Sequence, residues 1–149
     1  MAANSNPRFT RVGNISSVLI TAANTSSQGG GTAIGTDIFK AFTADATNGS
    51  FVERVRLMPT ATAATTTTAT VARVFVSSVA SGATTSANTY LVAEITLPAI
   101  AADNASTAVQ PLDVPLGLTL PAGYTILVTN HAAPAANTAW RATVIGGDY

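Results

Sequence analysis

The run Phe51-Val52-Glu53-Arg54-Val55-Arg56-Leu57-Met58 decides how this chain is read. Side chains of an extended strand point alternately to opposite faces, so Phe51, Val55 and Leu57 fall together on one side and Arg54 and Arg56 on the other. Glu53 lands on the apolar side. An unpaired buried carboxylate costs several kcal/mol, so the expectation is that Glu53 sits at a sheet margin or pairs with an arginine. Similar runs lie on both sides of this one. In 70–77, Val74 and Val76 oppose Arg73 and Phe75, and in 90–97 the side carrying Leu91, Ala93, Ile95 and Leu97 opposes Glu94. With 15–21, 37–44, 109–116, 124–129 and 139–145 they make eight predicted strands, each half buried, as in antiparallel sheets with one wet or partner-covered face.

Composition agrees with this reading. Thr (24), Val (13) and Ile (8) supply close to a third of the 149 residues, and these β-branched types suit a pleated surface better than a helix. Between the runs lie Gln28-Gly29-Gly30-Gly31-Thr32, Ala46-Thr47-Asn48-Gly49-Ser50, Ser81-Gly82-Ala83-Thr84-Thr85 and Leu120-Pro121-Ala122-Gly123, all suited to turns. The low-complexity segment 60–70 reads as a long loop entering a strand. The Ala-rich segments 99–108 and 131–136 lack the 3.6-residue apolar spacing of a packed helix. The expectation is one domain over 1–149, an all-β antiparallel sandwich of about eight strands, jelly-roll-like, with 1–13 an extended N-terminal arm.

Charged residues are 9% of the chain, and seven basic groups balance seven acidic ones. Neutralising many phosphates takes a basic surface, and holding an anionic bilayer takes clustered Lys or Arg, so neither nucleic acid nor membrane is an expected partner. No apolar run approaches 18 residues, and the N-terminus shows no apolar signal core. Cysteine is absent, which removes disulfides, thiolate metal sites and a Cys nucleophile.

The groups capable of chemistry are scattered along the chain. His131 is the one histidine and stands in an Ala- and Pro-rich loop without nucleophile or acid at a recognisable spacing. The carboxylates Asp37, Asp45, Glu53, Glu94, Asp103, Asp113 and Asp148 show no local pairing of the kind used in glycoside hydrolysis. Asp45-Ala46-Thr47-Asn48-Gly49-Ser50 has alternating oxygen ligands but lacks the terminal Glu of a calcium loop. Gly29-Gly30-Gly31 is followed by no Lys-Ser/Thr and no helix, so it is no phosphate cradle. The expectation is a protein that is not an enzyme, with no catalytic, cofactor or metal residues. Trp140 with Tyr90 and Tyr124 could form a sugar-stacking platform, which keeps a carbohydrate-binding module as an alternative. Arg8 and Arg11 flank Phe9 in the arm, and these three are the candidate residues for partner contact. A surface this poor in charge, with net charge zero, implies that part of it is covered in a homo-oligomer or a larger assembly.

Several stretches carry a resemblance. Gly49-Ser50-Phe51-Val52-Glu53-Arg54-Val55-Arg56-Leu57, Val71-Ala72-Arg73-Val74-Phe75-Val76, Leu91-Val92-Ala93-Glu94-Ile95-Thr96-Leu97-Pro98, Leu120-Pro121-Ala122-Gly123-Tyr124 and the ending Gly146-Gly147-Asp148-Tyr149 together resemble small virion proteins of tailed bacteriophages, and among these the capsid decoration (cement) proteins with a β-sandwich or jelly-roll fold. The resemblance spans residues 34–149. It implies a protein made in the host cytoplasm that joins the outer surface of an assembled head, commonly as a trimer, and clamps the major capsid protein. A tail, head-fibre or adaptor component of the same virion is the nearest alternative.

Overall fold

The computed structural model describes residues 10–102 and 108–149. Ten strands follow in order: β1 (Val12–Ile20), β2 (Phe39–Thr43), β3 (Ser50–Ala61), β4 (Thr65–Thr66), β5 (Thr70–Ser77), β6 (Thr89–Leu97), β7 (Ala101–Ala102), β8 (Leu112–Leu120), β9 (Thr125–Asn130) and β10 (Thr138–Asp148). The eight long ones correspond one to one with the eight predicted runs, with ends shifted by a few residues and 109–116 displaced to Leu112–Leu120. The loop expected at 60–70 and the Ala-rich segment after 99 contain the short strands β4 and β7, which pair with each other.

One sheet has the order β1-β10-β3-β8 and the other β2-β9-β5-β6. Counting only the long strands, the orders are 1-8-3-6 and 2-7-4-5, the two interleaved Greek keys of a jelly roll. All pairings between these strands are antiparallel. The sheets stack with Ile20, Val52, Val55, Leu57, Trp140 and Val144 from the first meeting Phe39, Phe42, Val74, Ile126 and Val128 from the second. At one end of the first sheet the Asp148 carboxylate accepts from the Asn14 amide (3.0 and 3.1 Å) and the Ser50 hydroxyl (2.5 Å), tying β1, β10 and β3 together.

The decisive run departs from simple alternation at Glu53. Val52 pairs with Gly146 and Arg54 with Ile145, so Glu53 is an extra residue opposite β10, a β-bulge. The phase of β3 shifts by one there. Val52, Val55 and Leu57 face the core, while Phe51 turns outward and is half-buried. The expectation that Phe51 shares a face with Val55 and Leu57 is thereby corrected. Glu53 lies exposed on the bulge, where its carboxylate accepts from Arg54 Nη1 at 2.6 Å. Opposite the bulge the backbones approach closely, and a Cβ on Gly146 would lie 2.3 Å from the Phe51 carbonyl oxygen.

The second sheet corrects the expectation of half-buried strands. Every residue of β9 is buried, and Arg73 and Phe75 on the outer side of β5 are buried as well. The cover is the connection 21–38, which folds across this face. Ile38, Phe75 and Leu127 form a second small core with Ile34 packed on it. Arg73 secures the cover: its Nε donates to Glu94 Oε1 at 2.6 Å, and Nη1 reaches the carbonyls of Asn24 and Thr25 at 3.4 Å each. Asp37 accepts from the Thr32 amide through both oxygens at 3.0 Å, closing the loop on itself. In β6 a register shift beside Val92 sets Leu91 opposite Phe75 and leaves only Ala93, Ile95 and Leu97 of its expected apolar row against the main core.

The bulge predicts a mutational effect. Gly146→Ala forces its Cβ against backbone that has no side-chain freedom to yield, and the expected loss is about 1–3 kcal/mol, read as a lower urea midpoint with unchanged slope.

Candidate docking surface

The outer face of the first sheet has no such cover among the described residues. Cross-strand pairing arranges it in rows: Leu19-Arg141-Met58, then Ser17-Thr143-Arg56-Asp113, then Ile15-Ile145-Arg54-Pro115 and Gly13-Gly147-Phe51-Thr119. Ile15 is 68% exposed and Leu19 36%, and Met58, Ile145 and Phe51 are half-buried. Arg, Met and aromatic residues over an apolar ground, without lysine, are the makeup favoured at protein–protein contacts.

The charges on this face are largely fixed by one another. Arg56 holds Asp113 with two parallel hydrogen bonds of 2.8 Å, Nε to Oδ1 and Nη2 to Oδ2, the fork geometry that makes Arg–carboxylate pairs strong. These bonds, with the charges of Arg56 and Arg54 adding, hold the Asp113 carboxyl below the usual carboxylate range. Arg54 stands between Glu53 and Asp113, its Nε 3.9 Å from Asp113 Oδ2. Arg141 is exposed and donates to the Ser17 hydroxyl at 3.3 Å, and among the described residues it pairs with no carboxylate. The face thus carries three guanidinium groups against two carboxylates, with its free cation at the Arg141 corner. There a shallow hollow of about 350 Å³ opens beside Leu19, Thr60, Asn137 and Arg141.

Of the residues proposed for partner contact, Arg8 and Phe9 lie outside the described residues. Arg11 is exposed, and its amide donates to the Asp148 carbonyl at 2.7 Å, so it continues β1 along the margin of this face. The alternation of 139–145 already separates Arg141, Thr143 and Ile145 from Trp140, Ala142 and Val144. That signal could have marked Arg141 as outward-facing, but not as part of an uncovered sheet.

The other groups singled out in the sequence are occupied locally. Trp140 is 1% exposed and fills the core, so the alternative of a sugar-stacking platform with Tyr90 and Tyr124 does not form. His131 is exposed, with Nδ1 3.4 Å from Arg73 Nη1. Asp45 accepts from the amides of Thr47 (3.0 Å) and Asn48 (2.7 Å), an Asx turn. Those amides, Asn48 first, hold its carboxyl low. Glu94 serves Arg73, Asp37 serves Thr32, Asp148 serves Asn14 and Ser50, and Asp103 lies outside the described residues. Among the described residues no three His, Asp or Glu side chains gather where they could hold a metal ion.

Acid tests the charge network. Asp45 and Asp113 titrate lower in the fold than the 3.8 of an unperturbed carboxyl, so the stability they add is in place above that pH and is lost as pH falls below it through their folded values. The thermal midpoint is expected to fall between neutral pH and pH ~2. Asp113→Asn is expected to lower it most at neutral pH, with the gap to the parent chain closing in acid. No family model, curated protein or solved structure matches this chain.

Proposed function

We propose that the chain is a non-enzymatic structural protein of a tailed-phage virion, a decoration protein that binds the major capsid protein on the outer surface of the assembled head. The single observation that carries this reading is the unequal cover of the two outer faces. Residues 21–38 roof the second sheet, while the first presents an apolar field with arginines and no intramolecular cover among the described residues. The jelly-roll order, shared by many viral capsid domains, and the low overall charge support it alongside the resemblance drawn from the sequence.

The work done is mechanical. A protein that binds subunits only where the shell has brought them together opposes disassembly by mass action, and needs no chemistry to do so. Arginines suit such a contact because a planar guanidinium can hold carboxylates or backbone carbonyls of a neighbour while its stem packs on apolar surface. On this reading Arg141 is the leading contact, and Arg11 continues the surface towards Arg8 and Phe9.

Sedimentation with purified heads tests it. The parent chain is expected to pellet with intact heads and to raise the temperature at which they open, while unassembled shell subunits leave it in the supernatant. Arg141→Glu and Met58→Glu are each expected to weaken occupancy at least ten-fold, about 1.4 kcal/mol, with little change in the chain's own melting. Failure of the parent chain to bind heads, or gold label confined to tails or fibres, would defeat the proposal.

A further inference from the structure

The four edges of the two sheets are not equally protected. An edge strand offers a row of unpaired amides and carbonyls, and proteins block it with charge, proline, a bulge or brevity. β2 is five residues long, carries Lys40 and shifts register between Lys40 and Phe42. β8 carries Asp113 and Pro115, with Gly117 in a register shift opposite Glu53. β6 carries Glu94 and the shift beside Val92. β1 has none of these. It runs nine residues, Val12–Ile20, in unbroken register with β10, without charge or proline.

Its outward side chains have a spacing that suits a copy of itself. On the outer face Ile15 and Leu19 lie two residues to either side of Ser17, the first 68% and the second 36% exposed. We propose that two copies of this chain associate by antiparallel pairing of their β1 strands about a two-fold axis through Ser17. In that register Ile15 of one copy stands opposite Leu19 of the partner subunit, and the same pair recurs on the other side of the axis. A slip of one residue would turn the apolar faces over, and a slip of two would set one of these side chains against Ser17 and the other against Gly13 or Thr21. Although the Ser16 hydroxyl bonds the Ala41 carbonyl, a hollow of about 290 Å³ opens between the two edges, lined by Asn14, Ser17, Lys40 and Thr43. The joined sheet has eight strands, and the outer face that the described residues leave uncovered continues across the axis.

The association is read without heads, so it stands or falls apart from the proposed function. Sedimentation equilibrium is expected to give twice the single-chain mass. Ile15→Lys and Leu19→Glu are each expected to weaken the dimer at least ten-fold, and the double variant to restore it, because the register brings the opposite charges together at both ends. Leu19 stands across from Arg141 in its own sheet, so glutamate there is tolerated by the fold. The chain has no cysteine, so Ser17→Cys introduces one thiol per copy. Directly opposed residues of an antiparallel pair stand about 4.5–5.5 Å apart at Cα, within disulfide reach. Oxidation with added diamide is expected to link this variant into dimers and to leave Thr43→Cys, on the edge of β2, unlinked. A single-chain mass, a three-chain mass without Ser17→Cys linkage, or equal linkage at Thr43→Cys would overturn the proposal.

Discussion

The surface of this molecule depends on the bulge at Glu53. A strand whose alternation ran unbroken through β3 could not keep both Val52 and Val55 in the core, because an odd separation puts them on opposite faces. One extra residue restores both to the interior, and the same step sends Phe51, Arg54, Arg56 and Met58 to the outside together. Gly146 makes the step possible, since its missing side chain lets the Phe51 carbonyl approach. The core and the outer face of the first sheet are therefore two consequences of one local irregularity.

The second constraint is the disposal of cover. A sandwich has two outer faces, and residues 21–38 are long enough to close one. Closing it buries Arg73, which would be costly unless its donors were met. Glu94 and the carbonyls of Asn24 and Thr25 meet them, so the guanidinium that fixes the loop also needs the loop for its own hydrogen bonds. With the loop committed there, the first sheet keeps its outer face, and its arginines turn to Asp113 and Glu53 on their own surface.

How much of this the sequence discloses follows from the range of each signal. Alternation of β-branched and polar residues is local, and it marked all eight long strands and the outward direction of Arg54 and Arg56. A bulge has no such signature. Glu53 is an ordinary charged residue in an alternating run, and only the register against β10 reveals that it is supernumerary. The burial of Phe75 and Arg73 was equally hidden, because it depends on a loop more than thirty residues away in sequence lying across them. For Trp140 the sequence left two uses open, because a lone tryptophan fills a core and binds a sugar with the same ring, and burial decides for the core. The outward direction of Arg54 and Arg56 was legible, but that they belong to an uncovered face was not, since which sheet lacks a cover among the described residues depends on strand order and on where residues 21–38 fold.

Strand order also explains why a face and an edge can belong to one mode of use. β1 ends the sheet whose outer side is uncovered among the described residues, so any strand added to it extends that side instead of covering it. The exposed Ile15 and Leu19 sit at this boundary, close enough to the edge to meet a second β1 and on the same surface as Arg141 and Ile145. Pairing two copies hides the least protected backbone edge and doubles the apolar, arginine-bearing field. A lattice partner with repeated subunits rewards such doubling, because two linked sites bind at an effective concentration set by their separation. For a chain with so little charge to keep it apart from its neighbours, the proposed closure of this edge on a second copy would limit association to a defined pair and leave the broad face for a partner.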